Sequence, residues 1–297
     1  MIELFRKCEV SPQEGLKLTT LNVELSHCTG VGTTRRGELK LGDEGYALDM
    51  HYNLYKKSLK GFEGQRQNLL NLMKYYGAER FVSTALFHAT SNVVYVNKNG
   101  LRILGPGKGK RACLMQNYDP FDRELQLHAD GIICEPGCGI VPVTYSADCV
   151  TGVMCAPNGA YGVFHAMAKK LMDYDDNVIT SMIFAFNKLY GFFSEELELA
   201  FYPSVHREVY EVDEAFAEKF GSKYVIKRSD GEKPCLDIEE MAVDIALRRG
   251  VLKIFTTGRT TATQEFESMR GAEKAILATG LMGSGNAQNF VFALPTE

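Results

Sequence analysis

The chain contains no tryptophan, and its six histidines include no His-x-His pair among 297 residues. Copper sites of the multicopper oxidase kind are built from clustered imidazoles, so the histidine supply argues against a blue-copper oxidase. No apolar run approaches the ~20 residues needed to span a bilayer. The opening MIELFRKCEVSP lacks the apolar stretch that follows a basic segment in a secretory signal, so a cytoplasmic protein with no membrane partner is expected. Positive charge is not in excess either. Thirty-three Lys and Arg against 37 Asp and Glu leave a formal charge of −4, interspersed along the chain, which speaks against nucleic acid as a partner. The eight cysteines have no secretory context and read as reduced thiols rather than a disulfide framework.

Familiar catalytic signatures are missing as well. There is no H-E-x-x-H, no G-x-S-x-G elbow and no G-x-G-x-x-G opening a helix after a strand. His128-Ala129-Asp130 carries the wrong acid for a zinc deaminase, and no P-C-x-x-C follows it. Gly105–Lys110 is glycine- and lysine-rich but lacks the spacing of a phosphate loop, so a basic surface loop is expected there. No repeat and no Pro-, Gly- or Ser-rich linker divides the chain. A single α+β domain over residues 1–297, with mixed β-sheets layered with helices, is the expectation.

What the sequence does supply centres on Tyr145–Lys170, YSADCVTGVMCAPNGAYGVFHAMAKK. Two apolar runs, Val150–Cys155 and Ala160–Phe164, flank Pro157-Asn158-Gly159. Asn-Gly tolerates positive φ, so this spacing predicts a hairpin. Its open end brings Cys149 near His165. A loop of Ala156–Asn158 would set the two opposite each other, and an Asn158-Gly159 loop would offset them by three positions.

Elsewhere, strands are expected at Leu18–Leu25, Arg80–Phe87, Val93–Val96, Ala129–Cys134, Gly139–Tyr145, Leu197–Tyr202, Leu252–Thr256 and Asn289–Leu294. Helices are expected at Glu63–Tyr76, Asp175–Tyr190, Val212–Phe220, Asp237–Arg249 and Gln264–Ala278, several closed by glycine. Ser26–Gly32 reads as a small-residue loop, and Cys134-x₃-Cys138 as two reduced thiols flanking a turn. Arg35-Arg36 and Lys169-Lys170 are basic pairs that can attract an anion, the latter beside an expected helix N-terminus.

Three side chains stand at expected strand ends: His88, Cys149 and His165. Two imidazoles and a thiolate make a three-ligand zinc site with one position open. The same residues without metal would be a cysteine nucleophile, Cys149, with a histidine base, His165.

The run ADGIICEPGCGIVPVTYSADCVTGVMCAPNGAYGVFHA resembles the laccase-domain, or polyphenol-oxidase-like, family. Members are understood as zinc-dependent purine nucleoside phosphorylases with adenosine deaminase activity. Ala129-Asp130-Gly131, Ser146-Ala147-Asp148-Cys149 and His165-Ala166 stand where the family carries its aD(A/G), TADC and HA elements. Leu86-Phe87-His88-Ala89-Thr90 stands where it has a QVHGT-like segment, and Ser268-Met269-Arg270 near its SYRR-like one. The resemblance implies a laccase-domain, cysteine-hydrolase-like fold with His88, Cys149 and His165 as ligands to zinc, or to copper as the alternative ion. It also implies adenosine, inosine or methylthioadenosine and phosphate as substrates; of the basic residues, Lys169 with Arg35 or Arg36 would hold the phosphate, and Asp148 or Asp130 would stand near a zinc-activated water in deamination. Two places depart from the family. Met167-Ala168-Lys169 replaces Gly-Trp-Arg, removing an aromatic wall and a bidentate fork. His206-Arg207-Glu208-Val209 replaces Gly-Pro-Cys-Cys. A non-catalytic relative that keeps zinc for structure or sensing is therefore a further alternative.

Overall fold

The expected hairpin forms, with strands Val150–Cys155 and Tyr161–Ala166. Eleven of its twelve residues are buried, with His165 the exception, so the strands read as unbroken apolar runs rather than alternating ones. The computed structural model describes residues 3–6, 9–10, 20–33, 36–41, 44–49, 72–78, 80–83, 91–98, 100–104, 129–146, 148–205, 207–229, 231–258, 261 and 289–296.

Among these, the hairpin occupies the middle of an eight-stranded mixed sheet. Its order is Glu3–Arg6, Lys253–Thr256, Glu198–Tyr202, Val150–Cys155, Tyr161–Ala166, Gly131–Cys134, Val93–Asn97 and Gly100–Leu104. A six-stranded sheet runs Glu9–Val10, Thr20–Glu24, Cys28–Thr33, Asn289–Pro295, Ile140–Ser146 and Arg80–Ser83. Val153, Val163, Ile132, Tyr202 and Val291 fill the space between the two sheets. The other face of the large sheet packs Phe164, Phe201 and Val150 against the helices Val178–Tyr190 and Ile238–Arg248. The outer face of the small sheet puts Val143 and Phe292 against Leu72 and Met73 of a helical turn at residues 72–75. Helices, large sheet, small sheet and helical turn thus stack as the layered α+β arrangement expected.

Two crossovers define the ends of the sandwich. Glu135–Gly139 carries the chain from the large sheet at Cys134 to the small sheet at Ile140. Asp148 and Cys149 lead back into the large sheet at Val150, at the opposite end. The return strand Ile140–Ser146 therefore pairs with Arg80–Ser83 and Asn289–Pro295 rather than with Gly131–Cys134.

Several boundaries shift for visible reasons. Cys28–Thr33 is a strand, where a small-residue loop was expected. Its glycines serve close packing rather than a turn: a Cβ on Gly32 would lie 2.5 Å from the Tyr202 ring. The long helix begins at Val178, three residues later than Asp175, because Asn177 caps it. The Asn177 side chain accepts from the Thr180 N–H at 2.9 Å and donates to the carbonyls of Asp173 and Tyr174 at 2.8 and 3.0 Å. Gly191, at φ 74°, ends the helix as anticipated. Asp237 caps Ile238–Arg248 by accepting from the Glu240 N–H at 2.9 Å. Asn177 is fully buried, so Asn177→Ala removes the cap and the donor to the Asp173 carbonyl, while the Tyr174 carbonyl keeps Thr180 and Arg249. A loss of about 2 kcal/mol in urea unfolding is expected.

The expected helix at Gln264–Ala278, the loop at Gly105–Lys110 and most of Glu63–Tyr76 lie outside the described residues. Among the described residues no helix is long and apolar enough to cross a membrane.

Candidate metal centre

The hairpin register falls between the two loop geometries considered. Thr151 pairs with His165 and Cys155 with Tyr161, and Ala156 and Ala160 close a loop of Pro157-Asn158-Gly159, with Gly159 at φ 83°. Directly opposed residues share a face and strand side chains alternate. Cys149, two residues before Thr151, therefore lies on the same inter-sheet face as His165. Its sulfur is hydrogen-bonded to the His165 imidazole. Cys149 also sits on the crossover from the small sheet, and the Ser146 hydroxyl donates to its carbonyl at 2.6 Å. The pair consequently occupies the mouth between the sheets at one end of the sandwich.

Asp130 completes the cluster. Gly131 pairs with Phe164, which sets Asp130 beside His165, and the His165 N–H donates to the Asp130 carbonyl at 2.8 Å. Their side chains meet as well, with Asp130 Oδ1 3.3 Å from His165 Nδ1. Only 2% of the Asp130 side chain and 15% of the His165 side chain are exposed. Nδ1 is thus occupied, so Nε2 is the nitrogen that could serve a metal.

Burial opposes a proton on His165. The Cys149 sulfur and the Asp130 carboxylate outweigh it and raise the imidazole pKa to about 10. The ordinary value is ~6.5. In metal-free protein the protonated ring therefore stabilises the fold fully below ~6.5, and that contribution fades as pH climbs through about 10. The urea midpoint of metal-free protein should fall between pH 7 and 10, and His165→Gln should flatten the slope.

A thiolate and an imidazole whose second nitrogen rests on a carboxylate suit zinc, and also suit copper. Two of the three expected ligands are brought together. His88 lies outside the described residues, and among the described residues no group of three or more His, Cys, Asp or Glu side chains is placed so that all of them could hold one metal ion; Asp130 meets the second nitrogen of His165 instead. The stretch carrying His88 rejoins the described chain at Ser91, at this same end of the sandwich. Asn92 accepts at its carbonyl from the N–H groups of Asp130 and Gly131, both at 3.2 Å. Ser91 is held by its hydroxyl on Asp176, which also pairs with Lys170 at 2.8 Å.

The other expected site residues scatter. Asp148 stands beside Cys149, and the Thr261 hydroxyl donates to its carboxylate at 2.9 Å. Val205 donates to its carbonyl at 2.9 Å. Lys169 is exposed on the short helix Ala168–Leu171. Arg36 begins a separate ribbon, Arg36–Leu41 with Glu44–Asp49, and Arg35 lies outside the described residues. Sequence reasoning missed Thr261, which reaches Asp148 across 113 positions of chain with nothing local to mark it. Asp130 carried a signal, its Ala-Asp-Gly run entering a buried strand.

Asp130→Asn keeps the shape but weakens the charge on Nδ1. Zinc affinity should fall about 10–100-fold, as such partners of ligating histidines generally require. Competition with a chromophoric chelator measures it.

Two facing mixed sheets, joined by crossovers and carrying this cluster at one mouth, define a protein of the YfiH laccase-domain type. Three solved structures share the fold. The hypothetical protein YfiH of Bacillus licheniformis aligns with a TM-score of 0.68 at 15% identity, covering 93% of this chain and 96% of its own. YlmD from Geobacillus stearothermophilus gives 0.70 at 17% over 94% and 96%. Neisseria meningitidis protein NMB0706 gives 0.64 at 15% over 94% and 99%. No curated protein matches the chain significantly. The family described as multi-copper polyphenol oxidoreductase laccase matches residues 63–285, and the chain belongs to it.

Proposed function

We propose that the protein is a zinc-dependent purine nucleoside phosphorylase, acting on adenosine, inosine or methylthioadenosine, with adenosine deamination as a second activity. The observation that carries this reading is the Cys149–His165–Asp130 cluster at the open mouth between the sheets. Cys149 and His165, with His88, would hold the metal. Zinc bound there supplies a Lewis acid that stabilises developing negative charge. Copper is the alternative ion, in keeping with the family's description.

In phosphorolysis a phosphate oxygen bonds to C1′ of the ribose while the bond from C1′ to the base breaks. The bonding electrons leave with the base, which takes up a proton. Exposed Lys169, with Arg35 and Arg36, would supply positive charge for phosphate. A lysine does so as a point charge rather than as a fork. Asp148, beside Cys149, would hold a proton during deamination. Metal analysis of purified protein, coupled to a phosphate-dependent nucleoside screen, tests the proposal. Stoichiometric zinc with release of adenine or hypoxanthine is the expected result. Metal-loaded protein that turns over neither adenosine nor inosine would overturn it.

A metal-free cysteine hydrolase is the second reading, favoured by the imidazole held against the Cys149 sulfur. Rapid alkylation of Cys149 in active, metal-free protein would support it. Zinc that disappears in Cys149→Ser would remove it.

A further inference from the structure

The two ends of the sandwich are built alike, and the end without His165 also carries a crossover with a sulfur on it. Cys134 closes the strand Gly131–Cys134, and Cys138 follows in the crossover. A tight turn, in which the Cys138 N–H donates to the Glu135 carbonyl at 3.2 Å, folds Cys138 back beside Cys134. The two thiols are hydrogen-bonded to each other, and both are free.

Their surroundings differ in a way that assigns roles. Cys138 Sγ lies 3.8 Å from the Tyr161 hydroxyl, whose own proton goes to the Ile140 carbonyl at 2.8 Å, and it receives the Ile140 N–H. Arg80 donates to the Cys138 carbonyl at 2.8 Å, which pins the turn. Cys134 is wholly buried, with Cys138 as its titratable neighbour. These contacts lower the Cys138 pKa, with the Cys134 hydrogen bond the largest cause, while burial raises that of Cys134. Cys138 is 4% exposed, but exposed Gly137 and Gly139, at φ 66° and 65°, flank it.

A second thiol pair, Cys28 and Cys155, lies in the same inter-sheet core. Both members sit within regular strands, at 0% and 1% exposure. That pair supplies an internal comparison.

We propose that Cys134 and Cys138 form an oxidisable dithiol site, in which Cys138 is the thiol that meets a small peroxide and Cys134 the one that resolves it. The Cys138 thiolate attacks one oxygen of hydrogen peroxide. An S–O bond forms, the O–O bond breaks and hydroxide leaves, giving a sulfenic acid. Cys134 then attacks that sulfur, forming the S–S bond and expelling the oxygen as water with the proton from its own thiol. Two thiols lose two electrons, and one peroxide becomes two waters. A low-pKa thiol beside a resolving thiol is the arrangement such chemistry needs. The site is separate from the proposed metal centre and does not depend on it.

The test is peptide mapping of full-length, zinc-loaded protein exposed to hydrogen peroxide, then unfolded and alkylated. Cys134 and Cys138 should lose alkylation together, joined to one another, and recover it fully after dithiothreitol. Cys28 and Cys155 should remain alkylated throughout. Cys134→Ser should stop the reaction at the sulfenic acid, with dimedone labelling Cys138. The proposal is overturned if Cys134 and Cys138 stay alkylatable while Cys28 and Cys155 react. It is overturned equally if Cys138 goes only to acids that dithiothreitol cannot reverse while Cys134 remains a thiol. The wild-type map decides between these without any variant, so a Cys134→Ser protein that fails to fold leaves the result intact.

Discussion

Cys149→Ala should leave the purified protein without the proposed zinc, and His165→Ala should do the same. Each change removes a donor from the pair at the sandwich mouth, where the sulfur and the imidazole share one face. A zinc site that keeps one thiolate or one imidazole fewer loses far more than the ~100-fold that second-layer changes cost. Phosphate-dependent nucleoside turnover should fall to background with it. The fold should survive, because Cys149 is half-buried at the rim and neither side chain belongs to the apolar cores. Elemental analysis beside near-ultraviolet circular dichroism reads both halves. Full zinc occupancy in both variants would sink the assignment of ligands.

Phe164→Ala should cost about 3–5 kcal/mol, a large share of the ~5–15 kcal/mol that keeps an ordinary domain folded. Phe164 precedes His165 and points to the other face of the large sheet, into the helix-side core, with no exposure. It stands directly opposite Gly152, and its ring covers that glycine: a Cβ there would lie 2.7 Å from Phe164 Cε1. The ring also meets Phe201 edge-on, with centroids 6.0 Å apart. Removing it empties a space that neither the glycine nor the backbone can fill. Urea unfolding measures the loss, and a change under ~1 kcal/mol would mean that the core repacks around the gap.

The central strands were legible because burial on both faces writes them as continuous apolar runs, and Val150–Cys155 appears with the limits expected. The Cys149–His165 encounter was legible for the same reason. A hairpin fixes which residues share an open end, and only the loop length was left to choose. Cys28–Thr33 was not legible, because Gly30 and Gly32 look like a loop until Tyr202 is seen lying across them. The start of the long helix was obscured by Asp175 and Asp176, acidic residues that suit a first turn. Asn177, with three hydrogen bonds, decided it. The sheet chosen by Ile140–Ser146 was illegible for a different reason: a short turn can reverse a strand within a sheet or hand it to the next. Contacts such as Thr261 to Asp148 join distant stretches and have no local signature.

The unbroken stretch from Asp130 to Ala166 supplies strands to both sheets, makes both crossovers and delivers Asp130, Cys149 and His165 to one mouth. Bringing these three together closes only short loops, whose entropy cost is small. The N- and C-terminal strands, by contrast, join through pairings such as Cys28–Thr33 with Asn289–Pro295, across nearly the whole chain. Contacts of such range are slow to form. The proposed metal pair can therefore meet early in folding, while the outer strands are still unpaired.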